Sequence, residues 1–218
     1  MNFINHFILI LLLVILASCS KEKLNESVIK EKSLDGQVLE AYKDGFDALR
    51  GGDVLYAARK FNEAELLFPQ SDWAPKSALM AAYSYYSQDY LDDAIAELER
   101  FLKVYPLSKN TDYALYLLAT SHYEKIVDEK KDLQSILLAK ESYSKIIRNF
   151  PNTEYALDSE FKIDLINDIL ASKEMYLGRY YFDRKKWIPS INRFRTIIDD
   201  YDTTIYVQEA LHRLVEVH

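Results

Sequence analysis

From Trp73 to Pro106 the chain reads WAPKSALMAAYSYYSQDYLDDAIAELERFLKVYP, and its apolar positions recur at helical rather than strand spacing. Small residues (Ala78, Ala81, Ala82) share one side of a first helix, with Tyr85 at the next turn. A polar turn, Ser87-Gln88-Asp89-Tyr90, separates it from a second helix that places Ala94, Leu98 and Phe101 at i, i+4 and i+7. Pro106 closes the unit, because its ring clashes with the preceding turn and it has no N–H to donate. This spacing predicts two antiparallel amphipathic helices, with small residues at the closest approach and a large aromatic filling the wedge. One such pair cannot bury its apolar face alone, so the pattern requires neighbours.

The neighbours are present in phase. Counting back from Pro69 finds Gly45, Ala57, Phe61 and Ala64; counting back from Pro151 finds Ala139, Tyr143 and Ile146. A fourth copy ends at Asp202, where the proline is lost, and supplies Gly178, Tyr181, Ser190, Phe194 and Ile197. This is the tetratricopeptide pattern. It predicts an all-α, right-handed helical solenoid of about four and a half repeats over residues 37–218.

The repeats differ in length, and the differences locate insertions. Repeat one starts near Val38 and turns at Gly51-Gly52-Asp53, where glycine stops one helix and Asp53 can cap the next. Pro69 to Pro106 is a step of 37 residues and Pro106 to Pro151 one of 45, which inserts eight residues into repeat three. The polar run Asp128-Glu129-Lys130-Lys131-Asp132 reads as the resulting longer, exposed loop. Pro151 to Asp202 is a step of 51, fourteen more than repeat two and close to four helical turns. That predicts a long helix from Tyr155 to Phe182, with Leu157, Phe161, Leu165 and Ile169 as its recurring apolar face. Its partner runs from Ile188 to Tyr201, with Pro189 tolerated in the first turn. A fifth repeat opens at Thr204, either as a single capping helix or as the start of a longer unit.

Composition agrees with a helical body: of 218 residues 49% are hydrophobic, with only five glycines and five prolines. The net charge of −7, with both signs interleaved along the helices, argues against a nucleic-acid surface. Residues 1–18 read as a signal peptide, with an unbroken apolar run from Phe7 to Ala17 as its core, although Met1–His6 carries no lysine or arginine. The run ends in Leu16-Ala17-Ser18-Cys19, which resembles a bacterial lipobox. Cys19 is the only cysteine, so no disulfide can form within the chain, and lipidation is the expected role. Ser20 rather than Asp after the cysteine favours outer-membrane sorting. Several acyl chains, each contributing about 0.8 kcal/mol per buried methylene, would anchor the protein at the periplasmic face. Residues 19–36, rich in Lys, Glu and Ser, read as the tether, with Gly36 at its end.

Little in the chain could do chemistry. His122 takes the aromatic position that Tyr85 fills in repeat two, and His212 and His218 do not share a helix face. No nucleophile elbow, phosphate loop or metal-ligand cluster appears, and Asp92-Asp93 suits a helix N-terminus. The reading is a non-enzyme with no cofactor and no metal. The informative constellation is aromatic, because the chain has 17 tyrosines. The first helix of each tetratricopeptide pair lines the concave surface. That places Tyr42, Phe46, Tyr83, Tyr86, Tyr113, Tyr116 and Tyr123 in a peptide groove, with the phenols of Tyr42, Tyr83 and Tyr116 exposed. Tyrosine offers apolar area and a polar tip with few rotors to freeze.

A lipobox, a tether and tetratricopeptide units in this order resemble the BamD family, lipoproteins of the outer-membrane β-barrel assembly machine. The resemblance rests on LASC at 16–19, on YKDGFDALRGGDVLYAARKFNEAELLFPQS, DDAIAELERFLKVYP and GRYYFDRKKWIPSINRFRTIIDDYDT, and on the two insertions. It implies a scaffold that binds the POTRA domains of BamA through C-terminal repeats, together with other assembly-machine lipoproteins. It also implies that N-terminal repeats receive the aromatic-ended C-terminal signals of unfolded outer-membrane clients. Asn192-Arg193 matches an Asn-Arg pair of the family whose arginine contacts BamA; a planar guanidinium suits a carboxylate partner. Departures are Asp202 in place of proline and a fifth repeat reaching only into its first helix. The alternative is a lipoprotein scaffold of the same repeat type serving envelope, pilus or secretin assembly.

Overall fold

In the computed structural model, residues 33–126 and 133–217 are described. The signal peptide, Cys19, the tether up to Lys32, the run Asp128–Asp132 and His218 lie outside the described residues. The described residues form nine helices: α1 (Leu34–Arg50), α2 (Val54–Leu67), α3 (Trp73–Tyr86), α4 (Leu91–Val104), α5 (Thr111–Glu124), α6 (Leu133–Asn149), α7 (Glu154–Asp183), α8 (Trp187–Asp200) and α9 (Val207–Val217). Each helix packs on the next along the chain. Next-but-one packing joins α1 to α3, α3 to α5 and α5 to α7, so the first helices of successive pairs form the inner layer of a helical repeat solenoid.

The repeat positions read from the sequence are the buried ones. Ala57, Phe61, Ala64, Ala94, Leu98, Phe101, Ala139, Tyr143, Ile146, Phe194 and Ile197 are all fully buried. Glycine stands where the aromatic comes closest to the facing helix in repeats one and four. A Cβ on Gly45 would stand 3.0 Å from the Phe61 ring, and one on Gly178 only 2.4 Å from Phe194. Ser190 holds the small position of repeat four and donates to the Gly178 carbonyl at 2.9 Å, so its hydroxyl is satisfied at the tightest contact.

Local signals set the turns. Asp53 accepts from the Tyr56 amide at 3.1 Å, the expected N-cap of α2. Gly52, Asp89 and Lys185 occupy the same point of their repeats and are left-handed, with φ of 82°, 60° and 57°. Only the first is a glycine, so the other two turns keep a conformation that disfavours a Cβ.

Three expectations need correction. Helix α1 begins at Leu34, so Gly36 lies inside it rather than closing the tether. The repeat-three insertion is not all loop: α6 has 17 residues against 14 in α4, its first turn absorbing part of the added length. The long helix exists, with 30 residues, but it buries a different face from the one expected. Leu157, Phe161 and Leu165 are 60%, 63% and 49% exposed, and only Ile169 of that row packs on the core. A strict i+4 row drifts by about 40° per step on a helix of 3.6 residues per turn. The buried face instead runs through Ala156, Ser159, Ile166, Leu170, Ala171, Met175 and Gly178, in steps of three, four and seven with a one-residue shift at Leu170–Ala171.

Candidate functional site

The inner layer carries a groove across the first three repeats. Lys76, Leu79, Met80 and Tyr83 project from successive turns of α3, facing Tyr42 of α1 and Tyr113 of α5, with Asn110 at the entrance to α5. Together they line a cavity of about 320 Å³. Tyr42 is held edge-on between Phe61 and Trp73, with both centroid distances 5.1 Å. Burial pushes the Tyr113 phenol up to about 12, with Tyr83 and Tyr155 adding to the shift. Burial also raises Tyr42. Both phenols therefore stay protonated and able to donate. None of the lining residues is acidic.

The sequence-predicted aromatics divide into two groups. Tyr42, Tyr83 and Tyr113 converge on this cavity. The others lie along the same layer and engage neighbours. Tyr86 donates to Glu124 at 2.8 Å, and Tyr116, whose phenol was expected to face solvent, donates to Asp158 at 2.7 Å while its ring lies 5.1 Å from Tyr155. Burial and then the Asp158 bond push Tyr116 up to about 12. Tyr123 lies under the Lys162 ammonium and Phe46 under the Arg50 guanidinium. His122 is buried as expected, and desolvation lowers its pKa.

Beside the groove, a larger cavity of about 610 Å³ lies between the start of α3 and the loop from α4 to α5. It is lined by Pro75, Val104, Pro106 and Leu107 among others and shares Lys76 and Asn110 with the tyrosine groove. Sequence periodicity gave no sign of Lys76, because a lysine at a helix start reads as solvated.

At the other end, Arg193 of α8 donates from Nη1 to both carboxylate oxygens of Glu174 on α7, at 3.2 and 2.9 Å, and Asn192 is exposed. Arg179 of α7 grips Glu209 of α9 with two nitrogens, and Arg213 adds to the same carboxylate, lowering the Glu209 pKa. The Arg179–Glu209 pair thus ties the terminal helix to α7, and the Arg193–Glu174 pair ties α8 to α7.

The family model YfiO, described as an outer membrane lipoprotein, matches residues 34–218, the whole described solenoid and its last residue. The chain belongs to this family. Among its relatives, "Outer membrane protein assembly factor BamD" of Rickettsia prowazekii is 36% identical over 203 residues, covering 93% of this chain and 78% of that protein. The protein of the same name from Caulobacter vibrioides is 38% identical over 177 residues, with 81% and 58% covered; the one from Neisseria gonorrhoeae is 33% identical over 187 residues, with 81% and 70% covered. The family's matched span contains both the tyrosine groove and the Asn192-Arg193 pair. No helix among the described residues is long and apolar enough to cross a membrane.

Proposed function

We propose that this YfiO/BamD-family chain is a non-catalytic scaffold for assembling β-barrel proteins into the outer membrane. It is held at the periplasmic face by acyl chains on Cys19. The repeats α7–α9, with Asn192 and Arg193, bind the POTRA domains of BamA, and other assembly-machine lipoproteins dock alongside. The inner groove receives the C-terminal signals of unfolded clients. The relatives named as outer membrane protein assembly factors support this reading, as does the LASC segment at 16–19. The observation that carries the client site is the convergence of Tyr42, Tyr83 and Tyr113 on one apolar-floored groove without an acid.

An extended peptide ending in an aromatic residue can place that ring among the tyrosines, where each edge or stacked contact adds about 0.5–1.5 kcal/mol beyond area burial. Ordering costs leave the net affinity roughly micromolar or weaker, as a factor that must release its client needs. Titrating such a peptide should show Tyr83→Ala, or alanine in place of the peptide's last residue, weakening binding about threefold or more. No weakening in either case removes the groove as client site. Binding of BamA's POTRA domains, lost on Arg193→Ala, with no peptide binding would leave a structural bridge only. For the anchor, Cys19→Ala should abolish incorporation of radiolabelled fatty acid and release the chain from membranes. A wild-type chain that takes up no label would refute lipidation.

A further inference from the structure

The start of α1 and the α2–α3 connection share one cluster, Val38 with Leu67, Phe68 and Trp73. The start of α3 lines a cavity with the α4–α5 loop, and the rings of Tyr113 and Tyr155 bring the starts of α5 and α7 together. One edge of the solenoid thus carries the connections between repeats. The same edge holds Leu34, where the chain from Cys19 enters α1. The turns on this edge are built alike: Ser71, Ser108, Thr153 and Thr204 each donate their amide to the carbonyl three residues back, at 3.0, 3.0, 3.1 and 3.1 Å. The residue before that donor is Gln70, Asn152 or Thr203 in three of them, and Leu107 in repeat two. The turn itself therefore asks for no apolar side chain there. Leu107 is nevertheless 97% exposed, more than any other large apolar side chain among the described residues, and Val104 of the same cavity lining is 52% exposed. Lys103 and Lys109 flank them in the open and Lys76 is half-buried, with Asp72 as the one carboxylate of that lining. The matching turn of repeat four carries Asp199, Asp200 and Asp202 instead.

An apolar tip between ammonium groups, in a chain of net charge −7, complements a surface that is anionic outside and apolar beneath. We infer that the repeat-two turn seats on the anionic phospholipid surface that holds the anchor, with Leu107 inserted and Lys103 and Lys109 on the headgroups. This rests on the lipidation of Cys19 proposed above and adds a second contact to it. Fifteen residues lead from Cys19 to Leu34, so the tether spans at most about 50 Å and keeps this edge within reach of the lipid. An anchor alone leaves the solenoid free to turn about its tether, whereas two contacts orient it. The acidic turn of repeat four is repelled by the same headgroups. The tyrosine groove shares Lys76 and Asn110 with the cavity at this edge, so the seating holds the groove beside the membrane.

The experiment uses the acylated chain reconstituted into vesicles of phosphatidylethanolamine and phosphatidylglycerol in equal parts. With Cys19 acylated, an engineered cysteine is the only free thiol, so Leu107→Cys, Thr203→Cys and Gln88→Cys each take one environment-sensitive dye. Gln88 marks the opposite edge, about 20 Å away across helices of 14 residues. A lipid-borne nitroxide should quench the dye at position 107 roughly threefold more than at 88 or 203, because an interfacial apolar tip lies about 5–10 Å into the headgroup boundary. Adding Lys103→Gln and Lys109→Gln should bring position 107 close to the level of 88, and high salt should shrink the difference. Thermal melts establish that each variant is folded, and radiolabelled fatty acid establishes that it is anchored. An acylated chain whose three dyes are quenched alike overturns the assignment and leaves the turn to a protein partner. A difference that survives both lysine changes, and is equal in vesicles of phosphatidylcholine alone, overturns the recognition of anionic headgroups. A chain that carries no fatty acid fails the anchor reading instead, and the seating falls with it.

Discussion

Glu65→Ala should be among the most destabilising single changes in the solenoid, costing about 2–3 kcal/mol. Glu65 sits on the second helix of repeat one and is 6% exposed. Arg100, on the second helix of repeat two, donates Nη1 to its Oε1 at 2.8 Å and Nη2 to its Oε2 at 2.7 Å, a two-pronged grip. The Tyr105 phenol adds a bond to Oε1 at 2.7 Å, and Glu97 accepts from Arg100 Nε at 2.8 Å. These groups tie together two outer-layer helices that have no next-but-one packing of the kind the inner layer has. The alanine variant strands the Tyr105 phenol and leaves the guanidinium with Glu97 alone. Because Arg100 is 38% exposed, water recovers part of its loss, which keeps the cost below that of a fully buried pair. In urea melts the Glu65→Leu/Arg100→Met double variant should regain most of the lost stability, since an apolar pair of similar volume leaves no charge behind. A loss under about 0.5 kcal/mol for Glu65→Ala would show that the clamp contributes no more than a surface pair.

Gly178→Ala should cost about 2–3 kcal/mol, whereas Gly45→Ala, at the same position of repeat one, should be near neutral. Both exchanges gain helix propensity, roughly 1 kcal/mol for alanine over glycine. The difference lies in space. A Cβ at Gly45 meets the equally buried Phe61 ring at 3.0 Å, so that ring has to give only a few tenths of an ångström. At Gly178 it meets Phe194 Cε1 at 2.4 Å and Cδ1 at 2.8 Å. Phe194 is fully buried, and the Ser190 bond to the Gly178 carbonyl fixes the approach of α8 to α7. The ring cannot retreat without separating the helices. Phe194→Leu in the Gly178→Ala background should recover part of the loss, because the shorter side chain vacates the contested volume. Equal effects at the two glycines in parallel denaturation series would mean that the tighter approach in repeat four is not real.

The rhythm of the chain determined its architecture. Small residues such as Gly45, Ala57 and Ala94 cannot fill space, so their recurrence in phase with Phe61, Leu98, Tyr143 and Phe194 admits only closely approached helix pairs. Proline and turn chemistry, with Pro106, Pro151 and Asp53, marked where each helix stops or starts. The added fourteen residues near four turns fixed the length of α7 for the same reason: a helix tolerates insertion in whole turns. Which face α7 buries was not legible, because Leu157 and Phe161 are as apolar as Ile166 and Leu170. Only the packing of α7 against α6 and α8 decides between them. The site shows the same division. Periodicity put the tyrosines of α1, α3 and α5 on the inner layer, but the choice of Tyr42, Tyr83 and Tyr113 as the ones that meet came from the spacing between repeats. Pairings such as Arg100 with Glu65, 35 residues apart, are products of the tertiary structure. Electrostatic partners across a solenoid depend on distances of a few ångströms between helices, and no local pattern of residues encodes those distances.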